Sequence, residues 1–198
     1  MTAPRIVSFL LMATAALAAE KGLPDFVKVN DTVYRGRQPA AEGFASLAKL
    51  GIKTVIDLRG GPIHAPREKK QVEAVGLVYV SERFSGIFPP RDEQIARLVA
   101  IMQDPAATPV FIHCRRGADR AGLLIACYRM MHDGWTNERA LAEAKETRLS
   151  RLEFLMSRYI RNFKPSRLKS PPAGVPAKSP LAMMFHFVLG NHLADHTF

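Results

Sequence analysis

The chain is 198 residues long and carries 28 Lys plus Arg against 18 Asp plus Glu, a formal charge of +10. That length suits one domain with a core of its own, and the positive balance suits an anionic ligand or substrate. The basic residues are scattered without aromatic interleaving, which argues against a nucleic-acid surface.

The chain opens MTAPRIVSFLLMATAALAAE, where Arg5 precedes an apolar run from Ile6 to Leu17 and Ala16-Leu17-Ala18 fits the small-x-small cleavage rule. This is the pattern of a secretory signal peptide over 1–18, cut after Ala18, and it predicts a secreted, periplasmic protein. The run falls short of the roughly 20 apolar residues of a spanning helix. A domain over 19–163 is expected next. Residues 164–198 follow as a Pro- and Lys-rich tail, with a short apolar stretch near its end and the composition of a disordered segment.

Val27–Val29 and Val33–Arg35 read as short strands around Asn30-Asp31. AAEGFASLAKLG reads as a helix with Phe44, Leu47 and Ala48 on one face and Gly51 as its stop. TVIDL is an apolar strand, GGPIHAP a Gly- and Pro-rich loop, Arg67–Val75 a helix and LVYV a strand. Arg59 and Arg67 flank that loop and read as solvated surface, with a place at the border of the pocket as the alternative. After the loop SERFSGIFPP, Ile95, Leu98, Val99 and Met102 have helical spacing over Asp92–Gln103, with Asp92 and Glu93 in the first turn, where carboxylates suit the helix dipole.

TPVFIH is a buried strand, and Arg120–Asp133 a helix with Leu123, Leu124, Cys127, Met130 and Met131 inward. Gly134-Trp135 closes it, the Trp as a packing residue. Two further helices follow, one over Thr136–Lys145 and one opened by the capping box Ser150-Arg151-Leu152-Glu153. Strands alternating with helices predict an α/β fold: a small, mostly parallel central sheet flanked by helices.

Only Cys114 and Cys127 supply thiols. A helix between them, rising about 1.5 Å per residue, carries them beyond the ~7 Å Cα separation of a disulfide. Cys127 falls on the apolar helix face. Cys114 is then a free thiol at the end of a strand, where open α/β sheets place their sites. Arg115 to Asp119 must turn sharply into the next helix, and Gly117 permits unusual backbone angles in mid-turn. Such a turn aims backbone N–H groups inward as an anion nest, at the positive end of a helix. Arg120 has the planar fork to grip two oxygens of a phosphate. The same positive field favours a thiolate at Cys114, placed for in-line attack on a cradled phosphorus. No metal or cofactor is required, and the His residues at 64, 132, 186, 192 and 196 lack metal-ligand spacing.

HCRRGADRAG is similar to the His-Cys-x5-Arg-(Ser/Thr) signature of the cysteine-dependent protein phosphatases, and VYRGRQPAAEGFASLAKLGIKTVIDLR and ACYRMMHDGWTNERALAEAK resemble secreted bacterial dual-specificity phosphatases. The resemblance covers Val33 to Phe163. It implies Cys114 as nucleophile, Arg120 as phosphate-binding arginine, and Arg115, Arg116, Gly117, Ala118 and Asp119 as the loop supplying amides. It also implies that His113 orients the loop and tunes the thiolate by hydrogen bonding. Ala121 stands where the family has Ser or Thr, a hydroxyl that helps the thiolate leave. The family's general acid falls by spacing among Gly86, Ile87 and Phe88, none of them acidic. Asp92 is the aspartate nearest in the segment and is the expected acid, with Glu82 and Asp119 as alternatives.

The expected substrate is a phosphorylated protein or small phosphorylated molecule, handled by a monomer. Arg115 and Arg116 beside the loop favour more than one phosphate, which brings in inositol phosphates and phosphoinositides. A rhodanese-like sulfurtransferase shares a strand like TVIDLRG, but its cysteine loop is one residue shorter. Low-molecular-weight phosphatases and arsenate reductases carry their Cys-x5-Arg loop near the start of the chain. The remaining rival is a phosphoprotein-binding module with lost turnover, which Ala121 and the vacant acid position support.

Overall fold

The computed structural model describes residues 21–147, 149 and 154–168. The expected signal peptide, the expected Ser150–Glu153 capping box and the chain beyond Leu168 lie outside the described residues. Elements run β1 (Val27–Lys28), β2 (Val33–Arg37), α1 (Ala41–Lys49), β3 (Thr54–Asp57), α2 (Ala65–Glu73), β4 (Val78–Ser81), α3 (Asp92–Gln103), β5 (Val110–Cys114), α4 (Asp119–His132), α5 (Asn137–Glu146) and α6 (Phe154–Asn162). A 3-10 turn over Pro165–Arg167 follows, and Leu168 packs on the core, so ordered packing runs past Phe163.

The strands form one sheet in the order β1-β2-β5-β3-β4. β2, β5, β3 and β4 are parallel, and β1 adds an antiparallel edge. All five residues of β5 are buried because it has neighbours on both sides and helices on both faces. Alternation along β5 divides two cores. Val110, Ile112 and Cys114 join Leu98, Leu124, Ala140 and Met156 from α3, α4, α5 and α6. Phe111 joins Phe44 and Leu47 of α1 and Val72 of α2 on the other face.

The helix after β3 thus covers one face and the helix after the adjacent β5 covers the opposite face. The chain diverges between these two carboxyl ends, and such a divergence opens a crevice in α/β sheets. α4 is buried on nearly all sides, so it reads as apolar all round rather than amphipathic. α2 begins two residues earlier than the sequence suggests: Pro66 sits in its first turn, where a missing N–H costs nothing. Trp135 packs as expected, its ring covered by Arg129 at 4.4 Å and Arg139 at 3.8 Å.

Candidate active site

Cys114 ends β5, 2% exposed, and neither it nor Cys127 is in a disulfide. Burial pushes the Cys127 thiol well up, with the Asp92 charge adding to it, so Cys127 stays a neutral core group. The chain turns from Cys114 into α4 within Arg115–Ala118. Gly117 has φ +66, and a Cβ there would stand 2.5 Å from the carbonyl of Gly36 on β2. The turn is therefore pressed against the neighbouring strand at a point that only glycine fits.

A cleft of about 270 Å³ opens at this turn, lined by Gly86, Cys114, Arg115, Arg116, Asp119 and Arg120. Cys114 and Arg120 share it, as the sequence suggests. Gly117 and Ala118 are buried in the turn. Arg115 and Arg116 are exposed at the rim, and Arg116 donates to Asp119 at 2.5 Å. Asp119, on the first turn of α4, is the one carboxylate among these lining residues.

Asp92 is not brought to this cleft. It opens α3, accepts a hydrogen bond of 2.6 Å from Tyr159 of α6, and lines a different cavity with Leu155, Arg158 and Phe163. Burial and the bond to Asp92 push the Tyr159 hydroxyl far up, which keeps it a donor. Glu82 is likewise engaged elsewhere, by Gln94 at 2.6 Å and by Arg97. The first-turn role that Asp92's position offers is the one its contacts fit.

His113 faces away from the cleft. Its ring is 0% exposed and stacks on Phe111 at 5.9 Å, on the α2 side of the sheet. Nε2 lies 2.7 Å from Glu68 and Nδ1 lies 4.0 Å from Asp57, neither aligned as a hydrogen bond. Arg59, read from sequence as solvated surface, is instead a half-buried member of this cluster. It donates to Asp57 through Nε at 2.9 Å and Nη2 at 3.0 Å, and it also pairs with Glu68. Tyr79 donates to Asp57 at 2.9 Å and Gln38 to Glu68 at 2.9 Å.

Burial raises the Asp57 carboxyl, but the bonds from Arg59 and the charge of His113 outweigh it, and Asp57 titrates below the usual aspartate range. Its stabilisation is complete above that range and fades as pH falls through the folded value. Asp57, Glu68 and His113 bring ligand atoms within 4.8 Å of one another. The Arg59 guanidinium already lies against both carboxylates, so the place of a metal cation is taken by an organic one. Breaking a buried pair leaves charge uncompensated. Glu68→Ala is therefore expected to cost about 3–5 kcal/mol, read as a lower urea midpoint at unchanged slope.

A family model described as DSP-PTPase phosphatase fused to NAD+ kinase matches residues 19–162. The dual specificity protein phosphatase TpbA of Pseudomonas aeruginosa is 29% identical over 116 residues, covering 59% of this chain and 51% of that protein. The inositol diphosphatase DSP2 of Oryza sativa subsp. japonica is 30% identical over 112 residues, covering 54% of each. The chain spans about half the length of these curated relatives. The core catalytic domain of the PP-IP phosphatase SIW14 from S. cerevisiae superposes with TM-score 0.63 at 24% identity, over 74% of this chain and 90% of that one. A variant of P. aeruginosa TpbA in complex with pTyr gives 0.60 at 23% identity, over 73% and 87%. Both structural likenesses establish the fold.

Proposed function

The chain belongs to the DSP-PTPase phosphatase family, and from that premise we propose that it hydrolyses phosphate monoesters through a phosphocysteine at Cys114. The carrying observation is that Cys114 and Arg120 line one cleft where a strand end, a tight turn and a helix N-terminus meet. The Cys114 thiolate attacks phosphorus, forming the S–P bond as the ester P–O bond breaks. Arg120 and the turn amides hold the equatorial oxygens where charge develops. Asp119, the acidic side chain in the cleft, acts as the carboxylic acid and gives its proton to the departing oxygen. Water then loses a proton to the resulting carboxylate and attacks phosphorus, breaking the S–P bond and releasing phosphate and the thiolate.

Ala121 is fully buried and carries no hydroxyl to assist that second step, so phosphocysteine hydrolysis is the slow half of the cycle. The Ile6–Leu17 run behind Arg5 supports secretion to the periplasm. The family match beginning at residue 19, directly after the expected cleavage point, supports it too.

The test is hydrolysis of a generic aryl phosphate under reducing conditions. Cys114→Ser is expected to abolish it and Asp119→Asn to lower kcat about 10²–10⁴-fold, with Asp92→Asn close to wild type. Tight binding of phosphate analogues without turnover would favour a phospho-ligand-binding module instead. A second substrate reading rests on Arg115 and Arg116, both exposed at the rim, where two guanidinia suit an inositol polyphosphate or phosphoinositide. Equal or better turnover of a phosphotyrosine peptide would sink it.

A further inference from the structure

Arg35 lies on β2, 4% exposed, in register with Ile112 of β5 and on the sheet face that also carries Cys114. Its Nη2 donates to the carbonyl of Gly117 at 2.7 Å and to the carbonyl of Thr147 at 3.0 Å, and its Nη1 donates to Thr147 Oγ1 at 2.8 Å. One planar group thus ties the middle of the cysteine turn to the residue that closes α5.

We propose that Arg35 is a positioning residue for the cysteine turn and the buried countercharge of the Cys114 thiolate. The proposal rests on Cys114 being the nucleophile.

In an anion nest the carbonyls must point away from the anion, so that the N–H groups point towards it. The bond from Arg35 takes the Gly117 carbonyl on the rear of the turn. That bond holds the mid-turn peptide in the orientation the cleft needs. The guanidinium is also a full charge in a dry place, a costly arrangement unless an anion is near. Among the described residues it has no carboxylate partner. Glu143 is held by Arg129, and Asp25 by Arg37. The carbonyls of Gly117 and Thr147, the latter at the negative end of α5, compensate it in part. A thiolate at Cys114, on the same sheet face, is the anion that favours the guanidinium most, ahead of Glu143 and Asp25.

Burial holds the Arg35 guanidinium below its usual value, opposed first by Cys114 and then by Glu143 and Asp25. The other charged groups around Cys114 are Arg37, in register with it on β2 and paired with Asp25, Arg115, Arg116, Asp119 and Arg120 on the cleft side, and His113 with Asp57, Glu68 and Arg59 across the sheet. These stay in place in the variants below.

The test measures iodoacetamide alkylation of Cys114 against pH in the full chain, located by mass spectrometry, beside aryl phosphate turnover. Arg35→Met removes the charge and both kinds of bond. Its alkylation midpoint is expected to rise by about one pH unit, and kcat/KM to fall about 100-fold. Arg35→Lys restores a charge without the fork. Its midpoint is expected to return to near wild type while turnover stays at least about tenfold down. An Arg35→Met midpoint equal to wild type overturns the countercharge, and wild-type turnover in Arg35→Lys overturns the positioning.

If Arg35→Met does not fold, Arg35→Lys decides with the same two readouts. A midpoint near wild type with reduced turnover supports the proposal, and a displaced midpoint or full turnover overturns it. Failure of wild-type turnover would strike the phosphatase reading itself, while the alkylation profiles would still judge Arg35.

Discussion

Arg120→Lys is expected to lower kcat/KM for an aryl phosphate by about 10³-fold and to leave the fold intact. Arg120 is half-buried on the first turn of α4 and lines the same cleft as Cys114. Its guanidinium offers parallel N–H groups in a fixed plane, which match two phosphate oxygens at once. A lysine keeps the charge but presents a single point donor on a flexible stem, so the exchange is not conservative here. The interaction strengthens as charge spreads over the equatorial oxygens, and loss of one such donor costs about 10²–10³-fold. Losing its alignment as well places the expected effect at the upper end. Stability should change by no more than about 0.5 kcal/mol, as for substitutions away from the core. Steady-state kinetics beside a thermal melt checks both parts. A rate within about fivefold of wild type would remove Arg120 from the phosphate grip.

Gly117→Ala is the second large effect, and its cause is backbone geometry. The φ of +66 is strained for any residue with a Cβ, and the added carbon would meet the Gly36 carbonyl carbon and oxygen at 2.5 Å and the Arg37 nitrogen at 2.6 Å. Those atoms belong to β2, which is hydrogen-bonded to β5 and has no room to retreat. The turn must move instead, carrying the Gly117 carbonyl off Arg35 and the amides out of register with a bound phosphate. Left-handed strain alone costs about 1–3 kcal/mol. Aryl phosphate turnover is expected to fall at least about 100-fold, and vanadate binding with it. A folded, fully active Gly117→Ala would show that the turn does not depend on this close approach.

The chemistry of the cysteine turn is readable from sequence because its parts are contiguous. An apolar strand, a cysteine, a mid-turn glycine and a helix-start arginine follow one another from Val110 to Arg120, and local rules suffice. The cluster behind it is not contiguous. Glu68 meets His113 from a helix placed by the β3-to-β4 crossover, and no pattern within α2 announces that its buried face ends in a carboxylate. Arg59 looks like a surface arginine for the same reason: its partners are Asp57, two residues away, and Glu68, a turn into the next helix. Asp92 is the nearest aspartate in its segment, but nothing local shows its hydroxyl partner Tyr159, which lies 67 residues further on. Asp119 stands inside the cysteine signature itself. Its presence in the cleft, rather than its type, is what the structure adds. Arg35 reads in sequence as an ordinary strand residue. Its burial becomes visible only when α4 and α5 are laid over β2.

The turn is fastened at its middle by Arg35 on one face of the sheet, and the strand that leads into it is packed on the other, where His113 lies buried against Phe111. A loop secured in this way does not have to be moulded by its ligand. The ordering entropy falls on folding rather than on each encounter. Bare inorganic phosphate and the phosphate of a large substrate should therefore meet the same shape, and most of the affinity of any substrate should reside in the phosphoryl group itself.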